Sequence, residues 1–269
     1  MRIAALAAFA VFAMAALRAM ACDGANCTDS ATEAQLRRFV SDPHRNAANA
    51  ARDRYRHPVE TLKFFGLKQD MTVLEIWPAA GWWTEFLAPT LEQKGRYIAG
   101  QVSSSGEGSD AFHKLLSSDA ARFGKVQEVV FTPSGGVPEA SVDLVLTFRN
   151  LHNWMADGQE RQWIAAMFHV LKPGGYLGIE EHRASDRAPQ DPKARSGYVR
   201  EDFARRLFEA QGFKFVAESE VNSNPKDTKD YPGGVWTLPP TFAAGDKDRA
   251  KYAAIGESDR FTLLFQKPK

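Results

Sequence analysis

The sequence predicts a doubly wound α/β fold: a seven-stranded, mostly parallel sheet with helices on both faces and an N-terminal helical cap. Three observations carry this. From residue 72 onward, short apolar runs alternate with amphipathic segments of helical length, the order required by parallel strands joined through helical crossovers. The last two apolar runs have no crossover helix of ordinary length between them, so they are expected to lie antiparallel. A turn rich in small residues follows the first strand and opens a helix, which is where this architecture meets its ligands.

The elements follow in chain order. A helix is expected over 28–42, with Leu36, Phe39 and Val40 on one side and Pro43 ending it. A polar helix is expected over 46–56. Pro58 suits the first position of a short helix carrying Leu62, Phe64 and Phe65, with Gly66 as its cap. Strands are predicted at 72–76, 97–99, 126–131, 142–147, 176–180, 214–218 and 261–265. The helices between them are predicted at 82–91, 110–121, 159–171 and 200–210. Pro173-Gly174-Gly175 ends the third of these and Gly212 caps the last. The connection 222–260 is far longer than an ordinary loop, and its Tyr231, Trp236 and paired prolines predict a folded lid. At the start of the 82–91 helix, Trp82 and Trp83 are expected to supply one core side chain and one wall of a cleft.

Composition narrows the function. The 269 residues are 44% hydrophobic and 25% charged, with 34 Lys+Arg against 33 Asp+Glu. There is no basic excess to attract nucleic acid or anionic lipid. At the N-terminus, Arg2 precedes an apolar run from Ile3 to Leu17, and Ala19-Met20-Ala21 offers a small-x-small cleavage site. Residues 1–21 therefore read as a signal peptide, too short to span a membrane, and predict a periplasmic or secreted protein. The expected division is a signal peptide at 1–21, a helical extension at 22–66 and the α/β domain at 67–269. Cys22 and Cys27 are the two cysteines. A small disulfide loop or free thiols are favoured over acylation of Cys22, because the leucine usual three positions before a lipidated cysteine is Ala19 here.

Three segments carry a family resemblance. Val73 to Trp83, V-L-E-I-W-P-A-A-G-W-W, resembles the first motif of class I S-adenosylmethionine-dependent methyltransferases, with Glu75 at the acidic position and Gly81 at the last glycine. Trp77 and Ala79 occupy the other two glycine positions. Val142 to His152 resembles the fourth strand and the loop that meets the ligand, and Val170 to Glu180 resembles the Pro-Gly-Gly turn and fifth strand. More narrowly, E-I-W-P-x-x-G-W followed by R-N-L-H-N-W is similar to a bacterial group described as predicted methyltransferases, often with signal peptides. The resemblance implies S-adenosylmethionine as cofactor, held by Glu75, Trp77, Pro78, Ala79, Gly81 and Gln101. Gln101 stands where the family usually has a ribose-binding acid. Arg149 and Asn150 are expected to meet cofactor or acceptor.

In open α/β sheets ligands bind beyond the carboxyl ends of the strands. Arg149, Asn150, His152, Asn153 and Trp154 after strand four, with Glu180, Glu181 and His182 after strand five, are expected to face one cleft. His152 is the candidate general base and Glu181 its orienting partner. No metal is assigned, since no H-x-x-x-H spacing supports one. The first functional reading is methyl transfer to a small-molecule or exposed side-chain acceptor. The second is an exported, non-catalytic ligand-binding protein on the same fold. A metal-assisted hydrolase built on His152, Glu181 and His182 ranks third.

Overall fold

The computed structural model describes residues 27–269; the segment assigned above to export, and Cys22, lie outside the described residues. A seven-stranded sheet forms the centre: β1 (Thr72–Ile76), β2 (Arg96–Gln101), β3 (Gln127–Val130), β4 (Val142–Phe148), β5 (Leu171–His182), β6 (Lys214–Ser219) and β7 (Arg260–Gln266). Its order is β3-β2-β1-β4-β5-β7-β6. Pairings among β1 to β5 are parallel, and β7 runs antiparallel between β5 and β6. The doubly wound arrangement with a reversed last strand is thus as expected.

Side-chain alternation divides the core into two layers. Leu74, Ile76, Val145, Leu177, Ile179, Leu263 and Phe265 point to one face. Three helices cover them: α8 (Leu151–Asp157), α9 (Glu160–Val170) and α10 (Glu201–Ala210). On the other face Val73, Tyr97, Ala99, Leu144, Leu146 and Leu264 meet α1 (Ser30–Val40), α4 (Pro58–Phe64), α5 (Thr84–Leu91) and α6 (Glu107–Ser118). Gly178 in β5 makes room for this second layer, because a Cβ there would lie 2.5 Å from the ring of Phe65. Glu85 of α5 anchors the N-terminal segment through buried Arg45, at 3.0 Å, and Asn49, at 2.7 Å.

Several expectations need correction. The polar helix over 46–56 is two turns, α2 (Ala47–Ala50) and α3 (Asp53–Arg56), ending at His57 with φ +41°. Residues 151–157, read as loop, form α8, which opens on Asn150 and closes on Gly158. The Pro-Gly-Gly segment does not stop a helix. The helix ends at Val170, and residues 172–175 make an irregularity inside β5, whose register jumps between Val142↔Leu171 and Leu144↔Tyr176. Trp82 and Trp83 both belong to the core. Trp82 donates to the Asn49 carbonyl at 3.0 Å, and Trp83 stacks on Phe148 at 4.1 Å. The 222–260 connection contains a 3₁₀ turn at Gly234–Thr237 and α11 (Arg249–Ile255). Among the described residues no helix is long and apolar enough to cross a membrane.

Candidate functional site

The turn after β1 keeps a glycine-like backbone with only one of the three glycines, Gly81. Trp77, Ala79 and Gly81 have φ of +49°, +51° and +83°. The Trp77 amide donates to the Gly100 carbonyl at 2.8 Å, and Gly81 closes a turn on the Pro78 carbonyl at 2.9 Å. Left-handed geometry costs a side-chain-bearing residue about 1–2 kcal/mol, so two such residues in one turn mark a conformation held by its surroundings. Gly81 has no alternative. A Cβ there would meet Leu115 at 2.4 Å and Phe112 at 3.1 Å, where α6 crosses the turn. The indole of Trp77 is half-buried against the α8–α9 layer, Pro78 is buried, and Ala79 is exposed.

Replacing Trp77 with glycine should therefore cost little stability. Relief of the strained φ offsets part of the lost indole packing, leaving a net loss of about 1 kcal/mol. Ligand affinity should fall more, by about tenfold or beyond. A large drop in melting temperature with unchanged binding would make Trp77 a core residue only.

Beneath this turn, Glu75 is buried and accepts a 2.6 Å hydrogen bond from Tyr97, whose hydroxyl also meets Thr84 at 2.8 Å. Burial raises the Glu75 pKa to about 7, against the opposing effects of the Tyr97 hydrogen bond and the Arg149 and Arg56 charges. Between about pH 4.5 and 7 the folded protein keeps a proton that the unfolded chain has released, so Glu75 makes stability fall as pH rises through that window. The full effect is about 3 kcal/mol. Glu75→Gln should remove this slope in urea titrations run across the window. An unchanged slope would show that Glu75 is ionised throughout.

At the end of β2, Gln101 is only 2% exposed, and its side-chain nitrogen has no hydrogen-bond partner among the described residues. A buried amide donor without a partner costs about 1–3 kcal/mol and marks a place where a ligand acceptor belongs. Asn150, in contrast, is committed within the fold. Its amide donates to the Ile76 carbonyl at 2.9 Å and to Thr147 at 3.0 Å, tying the end of β4 to that of β1.

Glu180 and Glu181 do not face one cleft, since neighbours on a strand point to opposite faces. Glu180 turns to the N-terminal layer, where Arg149 donates to it at 2.7 Å and Arg260 at 3.2 Å. Burial opposes the Glu180 charge, but Arg260 and Arg149 outweigh it and hold the carboxyl below its ordinary pKa. Glu181 turns to the other face. One of its oxygens accepts from His152 Nδ1 at 3.0 Å and from the His182 amide at 2.8 Å, and the other from the His152 amide at 3.2 Å. A carboxylate only accepts, so Nδ1 carries the proton and the lone pair of His152 sits on Nε2.

The His152 ring lies 5.3 Å from that of His182 and 6.0 Å from that of Trp236. Trp236 is 38% exposed and meets the His152 ring edge-on, and a Cβ at Gly197 would strike Val235, its chain neighbour, at 2.4 Å. His182 Nδ1 meets Ser258 at 2.6 Å. Burial, then the neighbouring His152, pushes the His182 pKa well down and keeps it neutral. His152, Glu181 and His182 bring ligand-type atoms within 4.8 Å of one another, a convergence expected from the adjacency of strands four and five and not from any H-x-x-x-H spacing. Because Glu181 already accepts three hydrogen bonds, the arrangement is that of an oriented imidazole.

Sequence reasoning set Trp236 in a lid over the cleft without naming His152 as its neighbour, and placed Arg149 at the site but missed Arg260 and Arg56 around Glu180. Arg56, Arg260 and Glu257 lie in segments that show no motif, and only the folded chain brings them together.

No family model and no curated protein matches the sequence. Solved structures do match. A SAM-dependent methyltransferase from Aquifex aeolicus is 18% identical, with 87% of this chain and 98% of that chain covered and a TM-score of 0.57. The Burkholderia thailandensis 1,6-didemethyltoxoflavin-N1-methyltransferase is 19% identical, with 89% of each chain covered and a TM-score of 0.52. The cyclase SpnF is 16% identical over 85% of this chain and 84% of its own, with a TM-score of 0.58, so one fold serves more than one reaction. The chain has the fold of the S-adenosylmethionine-dependent methyltransferases.

Proposed function

We propose that this protein transfers a methyl group from S-adenosylmethionine to a small acceptor. The observation that carries the proposal is the β1 turn. Its backbone holds the left-handed geometry of a glycine-rich cofactor loop at Trp77, Ala79 and Gly81, within a sheet of matching order. The unpartnered donor of Gln101 at the end of β2 fits the same cofactor, since it suits a ribose hydroxyl. When bound, the cofactor supplies an electrophilic methyl on a sulfonium centre.

The chain's own residues then have limited tasks. The β1 turn and Gln101 hold the nucleoside, Trp77 forms a wall, and Arg149 borders the crevice between β1 and β4. His152, oriented by Glu181, accepts the acceptor's proton at Nε2, and Trp236 shields the site from water.

The test is calorimetric titration of the protein with S-adenosylmethionine and S-adenosylhomocysteine. Binding of both is expected. Absence of both would leave the second reading, a non-catalytic binding protein, which the side chains of Trp77 and Ala79 at glycine positions favour. Export is proposed from the leader. Protein recovered from the host envelope should have an intact mass that begins at Cys22, and retention of Met1 to Ala21 would overturn this.

A further inference from the structure

Four arginines converge on the N-terminal-helix side of the sheet, around the ends of β4 and β5. Arg149 reaches Glu180 at 2.7 Å, and Arg260 bridges Glu180 at 3.2 Å and Glu257 at 3.3 Å. Arg52 reaches Glu257 at 2.6 Å, while Arg56 touches it only at 3.4 Å. Two carboxylates thus serve four guanidinium groups.

The other carboxyls nearby do not balance them. Glu181 lies on the opposite face, engaged by His152 and two backbone amides. Glu75 is about half protonated near neutral pH, because burial lifts its pKa to about 7. Arg56 bears the consequence. Burial first, and then the Arg149 charge, disfavour its cationic form, and it rests on the Trp82 ring at 4.6 Å. The Nε of buried Arg260 has no partner among the described residues. Positive charge gathered out of water is costly until an anion completes it, and guanidinium forks match carboxylate and phosphate oxygens two at a time.

The cluster is also reachable. The Arg149 side chain is 19% exposed, and that of Arg52 is 24% exposed. Arg149 stands next to Asn150, which ties β4 to β1, and Arg260 opens β7, away from β2 and Gln101, while Arg56 rests on Trp82 just after the β1 turn. The cluster thus runs from the edge of the cofactor turn, at Arg56, toward the β5–β7 side left for a second substrate.

We propose that this cluster is an anion subsite for the acceptor: the molecule to be methylated carries a carboxylate or phosphate group, which Arg149 binds with Arg56 and Arg260 behind it. The word acceptor rests on the methyl-transfer reading; the anion subsite does not.

The experiment is thermal melting in inorganic phosphate and in acetate, against chloride at equal ionic strength, with and without saturating S-adenosylhomocysteine. It uses the parent protein, Arg149→Met and Arg149→Lys. Phosphate and acetate should raise the parent's Tm, equally so with S-adenosylhomocysteine present. The rise should vanish in Arg149→Met and partly return in Arg149→Lys. Should Arg149→Met fail to fold, line broadening of the phosphate ³¹P signal by the parent protein, reversed by acetate, reads the same binding without a variant.

No response of the parent to either anion would overturn the proposal, as would a full response in Arg149→Met. Loss of the response on adding S-adenosylhomocysteine would also overturn it, by assigning the arginines to the carboxylate of the cofactor. An anion response in a protein that binds no S-adenosylhomocysteine would instead sink the methyl-transfer reading and leave the subsite standing.

Discussion

Replacing Glu180 with alanine is expected to lower the free energy of unfolding by about 3–5 kcal/mol, among the largest effects any single substitution will have in this protein. Glu180 is fully buried and accepts from Arg149, Arg260 and Asn222. Removing it takes from Arg149 the carboxylate it donates to and from Arg260 and Asn222 one of several acceptors, in a region already crowded with positive charge. Urea unfolding measures the loss. Glu180→Gln, which keeps the shape and one acceptor oxygen, should lose less than the alanine variant but still a large amount, because the missing element is charge. A loss below about 1 kcal/mol for Glu180→Ala would mean that Arg149 and Arg260 are solvated and that the cluster behaves as a surface network.

The second large effect is on turnover. His152→Ala should reduce methyl incorporation from labelled S-adenosylmethionine by about 10²–10⁴-fold, the range for loss of a positioned general base. Glu181→Ala should act on the same step, because its carboxylate fixes both the tautomer and the direction of the His152 ring at 3.0 Å. The double variant should lose less than the sum of the two single losses, since each single change already disables the pair. Calorimetric binding of S-adenosylhomocysteine should be retained in all three variants, separating a lost base from a lost cofactor site. Strict additivity would leave His152 and Glu181 as independent structural residues.

The sheet was legible in the sequence because the central strands carry short apolar runs set off from their neighbours by polar or turn residues, and because two faces need two interleaved sets of apolar side chains. Boundaries were less so. Residues 151–157 carry Leu151, Trp154 and Met155 at helical spacing, yet seven residues are too few for the period to stand out beside a motif-bearing loop. In the candidate site, the pairing of His152 with Glu181 followed from strand adjacency, and adjacent strands do bring them together. The joint cleft with Glu180 failed for an equally simple reason: the two-residue period of β5 sends Glu180 and Glu181 to opposite faces. Trp77 was legible as a departure from glycine. Its backbone was not, since nothing local requires a tryptophan to adopt a φ of +49°; the hydrogen bond to Gly100 and the closed turn at Gly81 impose it.

The strand order has a further consequence, for the order of folding. β7 follows β6 in the chain yet is inserted between β5 and β6, and Arg260 at its start contacts the Tyr55 carbonyl some two hundred positions earlier. A chain folding from its N-terminal side can pair β1 through β5, but it lacks the strand that joins β6 to them until β7 is in place. Closure of the sheet therefore waits on β7, and the long-range pairings it completes are slow to form.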